Sequence, residues 1–197
     1  MCGQYWKCVN LDKKEFVNPY KIGCGLKLAE QLSFPGTGSA LLILCAAMPE
    51  VRGGGDFDLE ENWHGPERTD FTKVGEMPED YPTVAKRTIG RWAGDRIAMV
   101  GDYAEETDLP TRFHASKIYE KCQPTTKQVY THEPVRDADM NIRDMTEGKN
   151  YGWYYHFEEV APAKYLDVSD DVAKVIEHEL NGKFEGDGWR TFEPNRD

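Results

Sequence analysis

The sequence predicts an α+β fold, with a mixed or mainly antiparallel sheet and a few packed helices in a single domain. Three observations lead there. Short segments rich in Tyr, Phe, Val and Trp read as strands, helix-like segments fall irregularly between them, and 197 residues suit one hydrophobic core. A doubly wound parallel sheet would need strands and helices in regular alternation, which this order does not supply.

The run Tyr5 to Leu11 alternates as a strand does, and Asp12-Lys13-Lys14-Glu15 is a polar turn leading into Phe16-Val17, which together predict a hairpin. Leu26 to Leu32 has helix-forming residue types, and Ser33-Phe34-Pro35-Gly36 stops it. Ala40 to Met48 is apolar all round and therefore buried. Its Ala and Leu content favours helix, and Pro49 ends it.

From Val51 to Pro82 the pattern dissolves into glycines, prolines and charges, which predicts a long irregular excursion at about 51–82 within a domain covering 1–197. Order returns with Thr88 to Trp92, the turn Ala93-Gly94-Asp95, and Arg96 to Val100. These read as a hairpin whose second strand, apolar on both faces, is the expected centre of the sheet. Ala115, Ile118, Tyr119 and Cys122 recur at helical spacing after Pro110. Lys127 to Val135 and Tyr151 to Val160 look like further strands. The clearest helix starts at Ser169 as N-cap, with Asp170 and Asp171 facing the dipole and Val172, Val175, Ile176 and Leu180 on one buried stripe.

A formal charge of −11, from 35 acidic against 24 basic residues, repels phosphate backbones and anionic lipid surfaces. Nucleic acid and membrane are therefore not expected partners. The five cysteines lack CxxC spacing and are odd in number, which suits reduced thiols in the cytoplasm.

Each hint of chemistry has a plainer alternative beside it. Phe34-Pro35-Gly36-Thr37-Gly38-Ser39 resembles a phosphate-binding loop, but Ser39 stands where the lysine belongs, and a turn is the expectation. Arg52-Gly53-Gly54-Gly55 lets consecutive N–H groups converge on an anion. The following Asp56, Asp58 and His64 could offer oxygen and nitrogen ligands to a divalent cation, although the spacing fits no calcium loop or zinc pair and a solvated acidic loop competes. Asp95, Arg96 and Asp102 flank the strand Ile97 to Val100, where binding groups are often directed from strand ends. The favoured alternative makes Asp95 a turn residue and pairs Arg96 with a carboxylate that closes the sheet. His132 and His156 would meet only if their strands are neighbours in the right register.

The segments Trp6 to Glu15, Arg91-Trp92-Ala93-Gly94-Asp95-Arg96-Ile97 and Val100-Gly101-Asp102-Tyr103 resemble a family of small soluble proteins of uncharacterised activity. The resemblance implies no ligand or catalytic residue. It places the Trp92 segment and Asp102 at the heart of the fold.

The expectation that follows is a cytoplasmic binding or interaction protein with an acidic surface, whose partner is another protein or a second copy of itself. No cofactor is predicted for it. The alternative, from a different class, is a small metal-assisted hydrolase in which Asp56, Asp58 and His64 hold a divalent metal and Asp95 or Asp102 serves the chemistry.

Overall fold

The computed structural model describes residues 4–23, 27–32, 35–47, 78–134, 151–180, 182–185 and 188–191. The chain is α+β, as its sequence predicts. Packing divides it into two compact units, residues 1–122 with 165–197, and residues 123–164. Pro124 and Pro162 punctuate the ends of the second unit.

In the first unit, β1 (Trp6–Asn10) and β2 (Glu15–Val17) form the expected hairpin. Asn10 shapes its turn: Oδ1 accepts the N–H groups of Asp12 at 3.0 Å and Lys13 at 2.8 Å, and Lys14 takes the left-handed φ of 58° that tightens it. β3 (Ile97–Gly101) pairs antiparallel with β1, and β6 (Leu166–Asp167) pairs parallel with β2, which gives the strand order β3-β1-β2-β6. The sheet is therefore mixed.

Among the described residues the strand Ile97 to Val100 thus lies at an edge and not at the centre, which is held by β1 and β2. The hairpin expected around Ala93-Gly94-Asp95 does not form. Tyr81–Thr88 is instead a helix, α2, with Pro82 in its first turn, where a missing N–H costs nothing. The following segment turns at Gly90 and Gly94, whose φ values of 73° and 83° suit glycine. Its N–H groups go to the end of α1 (Thr37–Cys45): Gly90 N donates to Ile43 O at 2.9 Å and Trp92 N to Leu44 O at 2.7 Å. Donating to those carbonyls at the helix end competes with strand pairing and wins here.

Helix α1 is the helix expected over Ala40 to Met48, begun three residues earlier, so the Gly36-Thr37-Gly38 run opens a helix. The helix expected over Leu26 to Leu32 shrinks, among the described residues, to a single 3-10 turn at Glu30–Leu32. The excursion expected at 51–82 ends earlier, since Tyr81 and Pro82 belong to α2, while 51–77 lie outside the described residues.

Helix α4 (Ser169–Glu179) packs against α1, α2 and the strand β7 (Gly182–Glu185), which pairs with β8 (Gly188–Thr191). Val172, Val175 and Ile176 are buried, but Leu180 follows the last helical turn and is 37% exposed. Ser169 is the first helical residue and not the cap. Its Oγ accepts the Asn18 N–H at 2.6 Å, and its own N–H donates to Asp167 Oδ1 at 3.0 Å. The core between these helices and the sheet gathers Cys8, Val17, Leu44, Trp92, Val172 and Ile176. Replacing Ile176, 1% exposed, by Ala is expected to cost about 2–5 kcal/mol in urea unfolding. A loss below about 0.5 kcal/mol, the level of a surface substitution, would contradict this packing.

The opposite face of the sheet, carrying Lys7 and Phe16, meets α3 (Ala115–Lys121), the helix expected after Pro110.

Among the described residues the second unit holds a ribbon of two antiparallel strands, β4 (Thr125–Pro134) and β5 (Tyr151–Ala161). Its register sets Lys127 opposite Glu158, Val129 opposite His156 and His132 opposite Trp153. His132 and His156 are neighbours in strand order but three rungs apart, so they do not form an opposed pair. Consecutive residues from Thr125 to Gln128 and from Phe157 to Ala161 are exposed, so this end of the ribbon meets solvent on both faces.

Candidate functional site

The strand ends that suggested binding groups hold internal pairs. Asp95 accepts a hydrogen bond from Asn10 Nδ2 at 2.7 Å and pairs with Lys13 Nζ at 2.7 Å. The lysine first and then the asparagine hold its carboxyl below the usual range. Arg96 donates its backbone N–H to Asp12 Oδ2 at 2.7 Å and its Nε to Oδ1 at 2.8 Å, with an Nη2 contact completing the grip. That grip pulls the Asp12 carboxyl down to about 2. Asp102 Oδ1 accepts the Tyr5 N–H at 2.9 Å, and Asp102 N returns a bond to Tyr5 O at 2.9 Å.

Asp95 and Arg96 therefore fasten one end of the β1–β3 pair and Asp102 the other, about 20 Å apart along an extended strand. They do not converge on a common site. Arg52, Gly53, Gly54, Gly55, Asp56, Asp58 and His64 lie outside the described residues. Among the described residues no three His, Cys, Asp or Glu side chains are grouped so as to hold a metal ion.

Two polar clusters absent from the sequence-based candidates sit in the first unit. Glu15, 6% exposed on β2, accepts Arg91 Nε at 2.8 Å, Arg91 Nη2 at 2.6 Å and Trp92 Nε1 at 2.8 Å. Burial alone would raise its pKa, and the bonds from Arg91 and Trp92 more than reverse that. This network ties the segment after α2 to the sheet. Its carboxylate is saturated by donors and has a structural role.

The second cluster centres on Lys7, 5% exposed on β1. Its Nζ donates to Cys122 O at 2.7 Å and lies 4.6 Å from the Phe16 ring centroid and 5.8 Å from that of Tyr119. The amine thus satisfies a carbonyl at the C-terminal end of α3. Burial lowers its pKa, against the opposing pull of Cys122 and Asp167. The neighbouring Cys122 thiol is pushed up to about 12 by burial, as is Cys8. Both thiols are protonated at neutral pH and inert as nucleophiles.

The structure buries β1 and β2 on both faces, which forces Lys7 and Glu15 into the interior; the sequence, with an alternating run and a polar turn, does not show it.

The lowered Lys7 pKa has a sign that can be measured. The unfolded chain holds this proton to higher pH than the folded one, so stability rises as pH climbs from the folded pKa toward 10.5. Lys7→Met is expected to remove that rise, whatever its offset at neutral pH, where relief of a desolvated charge opposes the loss of the donor to Cys122 O. Urea midpoints of parent and variant across this range give the difference. Parallel curves for the two proteins would refute the assignment.

No family model matches the chain, and neither the search of curated proteins nor that of solved structures finds a match.

Proposed function

We propose that the chain is an interaction protein and that the β4–β5 ribbon is its binding element. The observation carrying this reading is that, among the described residues, this sheet has two strands, ten and eleven residues long, with side chains exposed on both faces at one end. Two strands alone are marginal in water, and an edge left by such a sheet is a template for a further strand. A strand added by a partner supplies main-chain hydrogen bonds for affinity and side-chain positions for specificity.

Phe157 at 62% and Val160 at 56% exposure offer apolar area beside that edge. The charge of −11 disfavours anionic surfaces and leaves a protein as the expected partner. A cytoplasmic setting belongs to the same proposal, supported by the free thiols of Cys8, Cys45 and Cys122. The hydrolase alternative draws no support from Asp95, Arg96 or Asp102, whose charges serve internal pairs.

Sedimentation velocity on the intact chain, alone and after incubation with cell extract, tests the reading. At about 0.1 M and about 1 M salt a ribbon-mediated complex should persist, whereas one held by surface charge dissociates as the Debye length shrinks. A monomer with nothing retained under either condition would refute the proposal.

A further inference from the structure

We infer that the exposed apolar face of α1, together with the 3-10 turn Glu30–Leu32 beside it, is the contact surface between two copies of this chain. The surface lies in the first unit and is separate from the ribbon.

Helix α1 reads TGSALLILC, with no charged residue on any side. A helix of that kind is ordinarily buried all round, because no face of it is suited to water. Here the core takes Ala40, Ile43 and Leu44, while Leu42 is 78% exposed and Cys45 is exposed as well. The helix thus turns an apolar side outward.

That side continues beyond the helix. A Cβ at Gly38 would stand 3.5 Å from Gln31 O, so the 3-10 turn packs on the first turn of α1. Leu42, four residues after Gly38, shares its face. The turn brings Leu32, 82% exposed, and the stretch leading into it brings Leu28, 45% exposed. Three leucines exposed to this degree on adjoining segments present on the order of 400 Å² of apolar area, the scale of an interaction site and not of scattered surface residues.

Charge selects the occupant. Across 27–32 and 35–45 the charged residues are Lys27 and Glu30, of opposite sign, which pair at 3.8 Å. This surface is therefore neutral on a chain that carries −11. Two copies repel each other through most contacts that so acidic a surface can make. Patch against patch buries apolar area and brings no net charge together, and a contact of one surface with itself closes as a two-fold dimer. The two faces together bury about 800 Å², below the range of permanent interfaces, so the dimer is a reversible one.

Sedimentation equilibrium of the intact chain tests the assignment. The expected result is a monomer–dimer equilibrium that tightens between about 0.1 M and about 1 M salt, as the Debye length falls from roughly 10 Å to about 3 Å and screens the repulsion between copies. Leu42→Glu and Leu32→Glu should each weaken the dimer about tenfold or more, since each sets a carboxylate into the apolar contact on both copies. Both positions are exposed, so neither change should shift the urea midpoint at concentrations where the parent is monomeric.

A dimer that loosens with salt, or one that resists both substitutions, would overturn the assignment. So would a chain that stays monomeric at every concentration, and the variants then show what holds the face. A urea midpoint lowered by Leu42→Glu in that monomer gives the face to another segment of the same chain. Retention of an extract protein that Leu42→Glu abolishes gives it to a different partner. Neither substitution touches the ribbon, whose reading stands or falls separately.

Discussion

Trp92→Ala is expected to destabilise the protein by about 3–5 kcal/mol, among the largest effects of any single substitution in the chain. The indole is fully buried in the core of the first unit, and its Nε1 donates to Glu15 at 2.8 Å. The loss therefore combines a large cavity with a missing donor to a buried carboxylate. Trp92→Phe separates the two, since it keeps most of the volume and removes the N–H. It should cost about 1–3 kcal/mol, the penalty for an unsatisfied buried polar group. Denaturant unfolding measures both, and equal losses for Ala and Phe would show that the hydrogen bond, not the packing, dominates.

Alkaline pH should unfold the protein through its buried thiols. Cys8 and Cys122 keep their protons to about 12 in the folded state, against 9.0 for a thiol in open solvent. Between those values unfolding releases protons, so stability falls as pH rises, at about 1.4 kcal/mol per pH unit for each thiol. By pH 11 the two together remove roughly 5 kcal/mol, comparable with the whole stability of a marginal domain. Tyr165, raised by burial and by Cys122, acts in the same direction, and Lys7 opposes it. The double variant Cys8→Ala, Cys122→Ala should flatten the loss between pH 8 and 11, as read from urea midpoints. An unchanged slope would place the alkaline sensitivity elsewhere.

Where local chemistry decides, the sequence was legible. The β1–β2 hairpin follows from alternation around a polar turn, and α4 from acidic residues ahead of an apolar stripe. The ribbon strands follow from runs of aromatic and β-branched residues.

The errors fall where a tertiary contact outweighs a local pattern. Thr88 to Trp92 has strand-like residue types, yet the N–H groups of Gly90 and Trp92 go to the carbonyls ending α1, and Gly90 and Gly94 turn the chain. Ile97 to Val100 is apolar on both faces and still lies at a sheet edge, because α3 and the core helices cover it from either side. Ser169 loses its cap position because Asp167, two residues earlier, reaches its N–H.

The site candidates follow the same rule. Asp95, Arg96 and Asp102 are rightly placed at strand ends, but their partners are distant in sequence: Lys13 and Asn10 for Asp95, Asp12 for Arg96, and Tyr5 for Asp102. No local pattern announces such pairs. Lys7 and Glu15 were hidden for the same reason: Lys7 sits in an alternating run and Glu15 in a polar turn, and only the packing on both faces of β1 and β2 buries them.

Hydrogen exchange along Tyr151–Ala161 of the intact chain tests the central claim most directly. In a ribbon of two strands, alternate amides of β5 point toward β4 and the others point away. The outward set is protected only if another strand docks there. The account predicts that a bound partner strand protects the outward set, and that this protection is lost when the partner is removed. Solvent-rate exchange of the outward amides at every concentration, and in the presence of cell extract, would contradict it.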